Sequence, residues 1–208
     1  MNDPGPKTRH RILVIDDNPD IHEDFRKILC HGRGRGSKLE AMEAALFEEA
    51  GALGRQSEFE VDSAHQGEQG LARVYHALQE GHPYAMAFVD VRMPPGLDGI
   101  EITPRLWIAD PDLQIVICTA YSDYSWEEMF ARVGTSDRMF VLKKPFEREE
   151  VLQLAHSLTE KRRALEENKR QQQRLQGAAQ AQARGVEKVG DDLHTEIIRL
   201  KRDSKDVA

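Results

Sequence analysis

The sequence predicts an α/β fold, a (βα)5 doubly wound parallel five-stranded sheet with a helical insertion after the first helix and a long C-terminal helical extension. Five short apolar segments alternate with segments of helical periodicity, the pattern of a parallel sheet that helices cover on both faces. Polar residues able to carry chemistry directly follow the apolar segments, as expected at the carboxyl edge of such a sheet. The predicted strands are Arg11–Ile15, Phe59–Ser63, Tyr84–Val89, Leu113–Cys118 and Arg138–Leu142.

The helices between these strands have recognisable start signals. Asn18 followed by Pro19 is an N-cap residue with a proline at the first helical position, a combination that favours a helix start. A second proline, Pro145, precedes the last helical segment. The predicted helices are Pro19–Cys30, Gln66–Glu80, Leu97–Ala109 and Ser122–Val133, with a fifth that begins near Glu147.

The connection between the first helix and the second strand is too long for this plan. Residues 31–58 lie there, whereas loops in α/β units usually take about two to six residues. The segment enters through several glycines, and Leu39, Met42 and Leu46 then recur at helical spacing. We predict one amphipathic helix within the 31–58 insertion, either docked on the domain as a solvated helix or serving as a partner surface.

The fifth helix meets no stop signal before Gly177, which predicts a helix of about thirty residues, well beyond the usual length. Val151, Leu158 and Leu165 share one heptad position, which a glutamine then continues. A homodimer through this C-terminal helix is therefore one expectation, with an apolar seam of limited length. The stretch QQQRLQGAAQAQARG is interpreted as a linker, and Val186–Lys205 as one more polar helix.

The chain is thus divided into a flexible N-terminus at 1–8, one domain at 9–160, and a helical or coiled-coil linker with a polar tail at 161–208. The tail is not expected to form a further compact domain, because the 49 residues from Glu160 onward contain no Phe, Trp or Tyr. A helix-turn-helix module of the DNA-binding kind needs a core of its own.

Charge and composition exclude several function classes. The 49 residues from Glu160 to Ala208 contain 12 Lys and Arg against 9 Asp and Glu, so they carry +3 and the rest of the chain carries −10 of the total −7. An acidic domain repels nucleic acid, so direct DNA binding is not expected. No apolar run approaches the length of a membrane span, and no membrane association is expected. Two cysteines make no disulfide framework, which favours a cytoplasmic location.

Carboxylates gather where the first and third predicted strands end. Asp16 and Asp17 directly follow the apolar segment RILVI, and Asp90 ends YAMAFVD. Because the carboxyl ends of parallel strands share one edge, the three side chains are expected to lie together. Neighbouring carboxylates repel unless a cation lies between them, and hard oxygen ligands are what Mg²⁺ prefers. The sequence therefore predicts a Mg²⁺ site.

Two further polar residues follow the remaining strands at the same edge. Thr119 comes after IVIC and offers a hydroxyl, and Lys144 comes after MFVLK and offers a compact cation. A carboxylate nucleophile, a divalent cation, a hydroxyl and an ammonium are the groups that phosphoryl transfer onto an aspartate requires.

These motifs resemble those of the receiver domains of bacterial two-component response regulators. The matching pieces are the acid pair in VIDDN, the stretch DVRMPPGLDG that begins at Asp90, the Thr-Ala pair at Thr119, and the KPF that begins at Lys144. The resemblance covers about residues 9–160. Two departures stand out: the loop after Asp90 is one residue longer than usual, and Val141 occupies a position that is usually aromatic.

The resemblance implies a role for each site residue. Asp90 would be the phosphoacceptor, and Asp16 and Asp17 would hold Mg²⁺ together with Asp90 and the backbone carbonyl of Arg92. Thr119 would bind the phosphoryl group in the switched state, and Lys144 would pair with it.

The resemblance also implies a signalling role rather than an enzymatic one. A sensor histidine kinase or a phosphotransfer protein would supply the phosphoryl group, and phosphorylation would switch a protein–protein output surface and the C-terminal helix. The sequence does not identify the downstream partner. Two alternatives stay open: a receiver that is catalytically silent and acts as a scaffold, and a Mg²⁺-dependent phosphoaspartate hydrolase.

Overall fold

The computed structural model describes residues 9–30, 59–120, 126–134 and 136–203. Within these ranges five parallel strands form one sheet with the order β2-β1-β3-β4-β5. This order confirms the predicted doubly wound sheet, because the chain winds to one side of β1 and then reverses to the other. The strands are β1 (His10–Ile15), β2 (Phe59–Ala64), β3 (Met86–Asp90), β4 (Gln114–Thr119) and β5 (Met139–Lys143).

Five helices accompany the strands in the described ranges: four connect successive strands and the fifth follows the last strand, as predicted. The predicted start of the fourth helix at Ser122 and the insertion at 31–58 lie outside the described residues, as does the N-terminal segment 1–8. The helices are α1 (Pro19–Cys30), α2 (Gly67–Gln79), α3 (Gly99–Ala109), α4 (Trp126–Val133) and α5 (Arg148–Asp203).

The sheet has a separate apolar core on each face. Alternate residues of β1 face opposite sides, so that Leu13 and Ile15 join the core beneath α2, α3 and α4. The other core lies beneath α1 and α5 and includes Phe25 and Phe88. The central strands β3 and β4 are buried along their whole length, which explains their continuous apolar sequence.

The strand register brings the strand ends to a common edge. Ile15 at the end of β1 pairs with Val89, the residue before Asp90. Thr119 at the end of β4 pairs with Lys143, the residue before Lys144. The residues that follow β1, β3, β4 and β5 therefore lie at one edge of the sheet, as the sequence predicts.

The C-terminal helix corrects the sequence-based prediction. α5 runs from Arg148 to Asp203 without interruption, so the predicted stop at Gly177 and the separate helix Val186–Lys205 are wrong, and the stretch interpreted as a linker is helical. The stretch QQQRLQGAAQAQARG consists mainly of Gln, Ala, Arg and Leu, which are strong helix formers. A glycine within a helix costs only about 1 kcal/mol relative to alanine. By its contacts the chain divides into two units, Met1–Arg163 and Ala164–Ala208.

The apolar heptad positions of α5 are also used differently from the prediction. Val151 and Leu158 are fully buried in the core beneath α1 and α5, so the first heptad packs within the domain and does not contact a partner helix. Leu175, farther along, is 64% exposed. A homodimer through the C-terminal helix stays a prediction. In the described ranges, no helix combines the length and apolar character that crossing a membrane requires.

Candidate functional site

Three carboxylates come together at the carboxyl edge of the sheet. Asp16 directly follows β1 and Asp90 ends β3, and both are buried, whereas Asp17 is exposed. Oxygen atoms of the three side chains lie within 4.8 Å of one another. The structure thus assembles the three acids that the sequence selects as metal ligands.

Lys144 joins two of these acids. Its Nζ donates to Asp16 Oδ2 at 2.7 Å and to Asp90 Oδ1 at 2.6 Å. The backbone amide of Lys144 donates to the carbonyl of Thr119 at 2.8 Å, so the lysine is held in register with the end of β4. Two residues later, the Phe146 ring packs 5.1 Å from that of Phe25. These contacts direct the ammonium toward the carboxylates.

The charges of the site do not balance without a further cation. Burial raises the pKa of Asp90, the hydrogen-bonded Lys144 ammonium opposes this shift, and the charge of Asp16 adds to it. Burial alone would lower the pKa of Lys144, but its hydrogen bonds to Asp16 and Asp90 outweigh that effect and raise the pKa. With the acids ionised, three carboxylates face one ammonium, and a divalent cation would neutralise the remaining charge.

The donor set fits Mg²⁺. Mg²⁺ binds oxygen ligands at about 2.0–2.1 Å in octahedral geometry, so two opposite ligands are about 4.2 Å apart. The carboxylate oxygens of Asp16, Asp17 and Asp90 are within 4.8 Å of one another, a spread that small side-chain rotations can close. All of these donors are hard oxygens, which suit Mg²⁺ better than a softer metal.

The remaining predicted site residues are close to Asp90 in the chain or in the register. The backbone amide of Arg92 donates to Asp90 Oδ2 at 3.0 Å, while the role of its carbonyl as a metal ligand stays a prediction. Thr119 is 6% exposed, and its hydroxyl donates to the Ala120 carbonyl at 3.0 Å. Val141, at the usually aromatic position, packs against the core beneath α2, α3 and α4.

Sequence reasoning missed His22, which supports the acid pair from α1. Its Nε2 lies 2.8 Å from the backbone carbonyl oxygen of Asp16, and its side chain is almost fully buried. Burial lowers the pKa of the imidazole. The sequence signal that could have identified His22 is its spacing, because His22, Phe25 and Leu29 form the buried stripe of α1. A histidine on such a stripe has to find a polar partner inside the domain.

Gly99 is a second residue that the site requires. A Cβ atom at this position would lie 2.1 Å from the carbonyl oxygen of Asp90. Helix α3 therefore begins against the backbone of the third carboxylate, and only glycine permits that approach. Asp98 fixes the helix start, because its side chain accepts from the Glu101 amide at 2.7 Å within a capping box.

We expect Gly99→Ala to lower the free energy of unfolding by about 1–3 kcal/mol or more, because the added methyl meets backbone atoms that cannot move independently. Chemical denaturation followed by circular dichroism measures the change. Gly177→Ala is the matched control, since a Cβ there meets no atom within 4 Å and alanine favours a helix. Equal stability of the Gly99→Ala variant and the parent would contradict the close approach.

A comparison with protein families identifies the family of this chain. A family model described as the response regulator receiver domain matches residues 40–156, more than half of the chain. The chain belongs to the receiver domain family. Receivers are signalling modules of two-component systems. The matched stretch contains Asp90, Thr119 and Lys144, whereas Asp16 and Asp17 precede it and reach the site through β1.

One curated relative is the C4-dicarboxylate transport transcriptional regulatory protein DctD of Rhizobium meliloti (strain 1021), with 31% identity over 119 residues. The alignment covers 57% of this receiver chain and 24% of DctD. The chain therefore spans about a quarter of the length of this relative.

Solved structures show the same fold. A CheY-like receiver domain protein from Methanospirillum hungatei JF-1 has 19% identity and a TM-score of 0.51, covering 76% of this chain and 98% of its own. The signal receiver domain of an HD domain-containing protein from Pseudomonas fluorescens Pf-5 has 15% identity and a TM-score of 0.55, covering 80% of this chain and 98% of its own. At these identities the similarity concerns the receiver fold alone.

Proposed function

We propose that this receiver accepts a phosphoryl group on Asp90 from a sensor histidine kinase or a phosphotransfer protein, and that Mg²⁺ held by Asp16, Asp17, Asp90 and the Arg92 carbonyl assists the transfer. The observation that carries the proposal is the Lys144 ammonium, which contacts both Asp16 and Asp90 within 2.7 Å. A lysine shared by two acids at a sheet edge with a third acid nearby is an arrangement suited to phosphoryl transfer.

Asp90 acts as the nucleophile in this proposal. One carboxylate oxygen forms a bond to phosphorus while the P–N bond of the donor phosphohistidine breaks, and the imidazole leaves with the bonding electron pair. The Arg92 amide and the Lys144 ammonium both donate to Asp90, and both favour its ionised, nucleophilic form against the effect of burial. When bound, Mg²⁺ would offset negative charge on the phosphoryl oxygens.

Lys144 and Thr119 then hold the transferred group. Lys144 can exchange one of its two carboxylate contacts for a phosphoryl oxygen without losing its charge partner, because it has two such contacts. The Thr119 hydroxyl donates to the carbonyl of the next residue, and it would exchange that bond for one to a phosphoryl oxygen. Such an exchange would move the start of the loop after β4 and so couple phosphorylation to the output surface.

The proposal assigns the output to protein–protein contacts and to α5. The downstream partner would be a protein, and we propose neither DNA contact nor an enzymatic role for this chain. Cys30 and Cys118 are both free thiols, which agrees with the proposed cytoplasmic location, where thiols stay reduced.

Incubation with acetyl phosphate and Mg²⁺ tests the proposed function. We expect one stable acyl phosphate per chain, detected by intact mass spectrometry and lost on treatment with hydroxylamine. Inorganic phosphate released over many turnovers would instead indicate a phosphoaspartate hydrolase. A protein that is neither labelled nor active would be a silent scaffold, and either result would overturn the proposal.

We expect Asp17→Ala to slow labelling by more than about tenfold at low Mg²⁺, because the variant loses one of three charged ligands, and excess Mg²⁺ should restore part of the rate. The rate of acyl phosphate formation as a function of Mg²⁺ concentration measures the effect. Asp24→Ala is a matched control, because Asp24 is an exposed acid that contacts only Lys27 among the described residues. Labelling of the parent without any divalent metal would contradict the assigned acid pair.

A further inference from the structure

His22 is almost fully buried, unlike every other histidine whose burial the structure describes, and it lies beside the acid pair. Its side chain is on α1, and its Nε2 is 2.8 Å from the Asp16 carbonyl oxygen. A carbonyl oxygen can only accept a hydrogen bond, so Nε2 carries the proton and donates. Its other nitrogen, Nδ1, is buried and has no hydrogen-bond partner, which favours the neutral ring because a second N–H there would be unsatisfied.

This hydrogen bond completes the fixation of Asp16. The Asp16 amide donates to the Ala64 carbonyl at 3.1 Å. One carboxylate oxygen accepts from the Asn18 amide at 2.9 Å, and the other accepts from Lys144. With His22 on the carbonyl, every polar group of Asp16 has a partner from within the domain.

The position of Asp17 also depends on the hydrogen bond between His22 and the Asp16 carbonyl. Its carboxylate is exposed, and in the part of the chain that the structure describes it has no hydrogen-bond or ion-pair partner. Its position is therefore determined by its backbone. The Asp16 carbonyl and the Asp17 amide belong to one planar peptide unit. A donor that fixes the carbonyl therefore fixes the whole peptide plane, including the backbone nitrogen of Asp17.

We infer that His22 is a positioning residue for the acid pair, which acts through the Asp16–Asp17 peptide to hold the Asp17 carboxylate where a divalent cation binds. This inference rests on the proposed Mg²⁺ site. The ring of His65, which follows β2, packs against His22 with centroids 4.6 Å apart in a T-shaped contact. The imidazole is thus fixed between the His65 ring and the Asp16 carbonyl, as expected for a residue that orients a metal ligand.

Calorimetric titration with Mg²⁺ alone, without a phosphodonor, tests the inference. We expect His22→Leu to weaken Mg²⁺ binding by about tenfold or more, the usual effect of removing a group that orients metal ligands. His22→Gln should bind within about threefold of the parent, because its amide can donate from nearly the position of Nε2. His76→Leu is the matched control, since His76 is exposed on α2.

A second measurement on the parent reports the hydrogen bond itself. Long-range proton–nitrogen correlation spectra at neutral pH should show His22 as the Nε2–H tautomer, assigned by the signal that disappears in His22→Gln. The Nδ1–H tautomer would overturn the inference, because Nε2 would then face the carbonyl as an acceptor. If His22→Leu does not fold, His22→Asn replaces it, since its amide is too short to reach the carbonyl.

The outcomes separate the inference from the function on which it rests. A folded His22→Leu variant with the Mg²⁺ affinity of the parent would overturn the positioning role and leave the metal site intact. Equal losses in His22→Leu and His22→Gln would also overturn it, because a merely structural role is not rescued by a matched donor. Failure of the parent to bind Mg²⁺ would overturn the proposed metal site, and the positioning role with it.

Discussion

Asp90→Asn is expected to abolish labelling by acetyl phosphate, because only a carboxylate can form the acyl phosphate and an amide oxygen is a poor nucleophile. The fold should survive the change. Asparagine has nearly the same shape, the Asp16–Lys144 pair remains, and the repulsion that Asp90 exerts on Asp16 disappears. Intact mass spectrometry after incubation with the donor and Mg²⁺ measures the result.

Asp137→Asn is a suitable control for this experiment. Its carboxylate is 82% exposed and contacts Lys161, which is not a predicted site residue. The control should be labelled as fast as the parent. Undiminished labelling of Asp90→Asn would instead assign the phosphoryl group to a different residue and remove the basis of the proposed function.

The second large effect concerns a buried ion pair away from the acids. Arg162 Nη1, on α5, donates to both carboxylate oxygens of Asp110 at 2.9 and 3.1 Å, and the two side chains are only 7% and 4% exposed. Asp110 directly follows α3 and also accepts from the Asp112 amide. The pair therefore connects α5 to the turn between α3 and β4.

We expect Arg162→Met to lower the free energy of unfolding by about 3–5 kcal/mol, because it leaves the Asp110 carboxylate buried without its cation. The double variant Asp110→Asn, Arg162→Met should recover most of this loss, since it removes the charge and keeps an acceptor for the Asp112 amide. Denaturation by guanidinium chloride, followed by circular dichroism, gives both values.

An exposed pair provides the comparison. Lys161→Met removes the Lys161–Asp137 pair, in which Asp137 is 82% exposed, and should cost at most about 1 kcal/mol. If Arg162→Met also lowered the free energy of unfolding by only about 1 kcal/mol, burial would not strengthen the Arg162–Asp110 contact. No recovery in the double variant would mean that shape, rather than the unpaired charge, accounts for the loss.

The strands and the positions of the acids could be predicted from the sequence because both depend on the order of residues within a short stretch of chain. A buried parallel strand is a continuous apolar segment, and the residue that follows it lies at the carboxyl edge whatever its neighbours are. Asp16, Asp17, Asp90, Thr119 and Lys144 each directly follow or end such a segment. Their common edge therefore follows from strand direction alone.

The length of α5 could not be predicted reliably because helix ends are decided by small differences. Gly177 has the character of a stop signal, yet a glycine within a helix costs only about 1 kcal/mol, which surrounding helix-forming residues can offset. The heptad pattern had a similar ambiguity, since Val151 and Leu158 would be apolar whether they faced the sheet or a second helix. Only the packing of α5 against the sheet assigned them to the core of the domain.

The sequence by itself determined the fold class, the order of the elements and the edge at which the acids meet, because hydrophobic periodicity and strand direction act over short stretches of chain. Tertiary structure alone decided the contacts between distant segments: Lys144 with Asp16 and Asp90, Gly99 against the Asp90 backbone, and Arg162 with Asp110. Such contacts depend on distances across the sheet and between its layers, and those distances are fixed only when the helices pack.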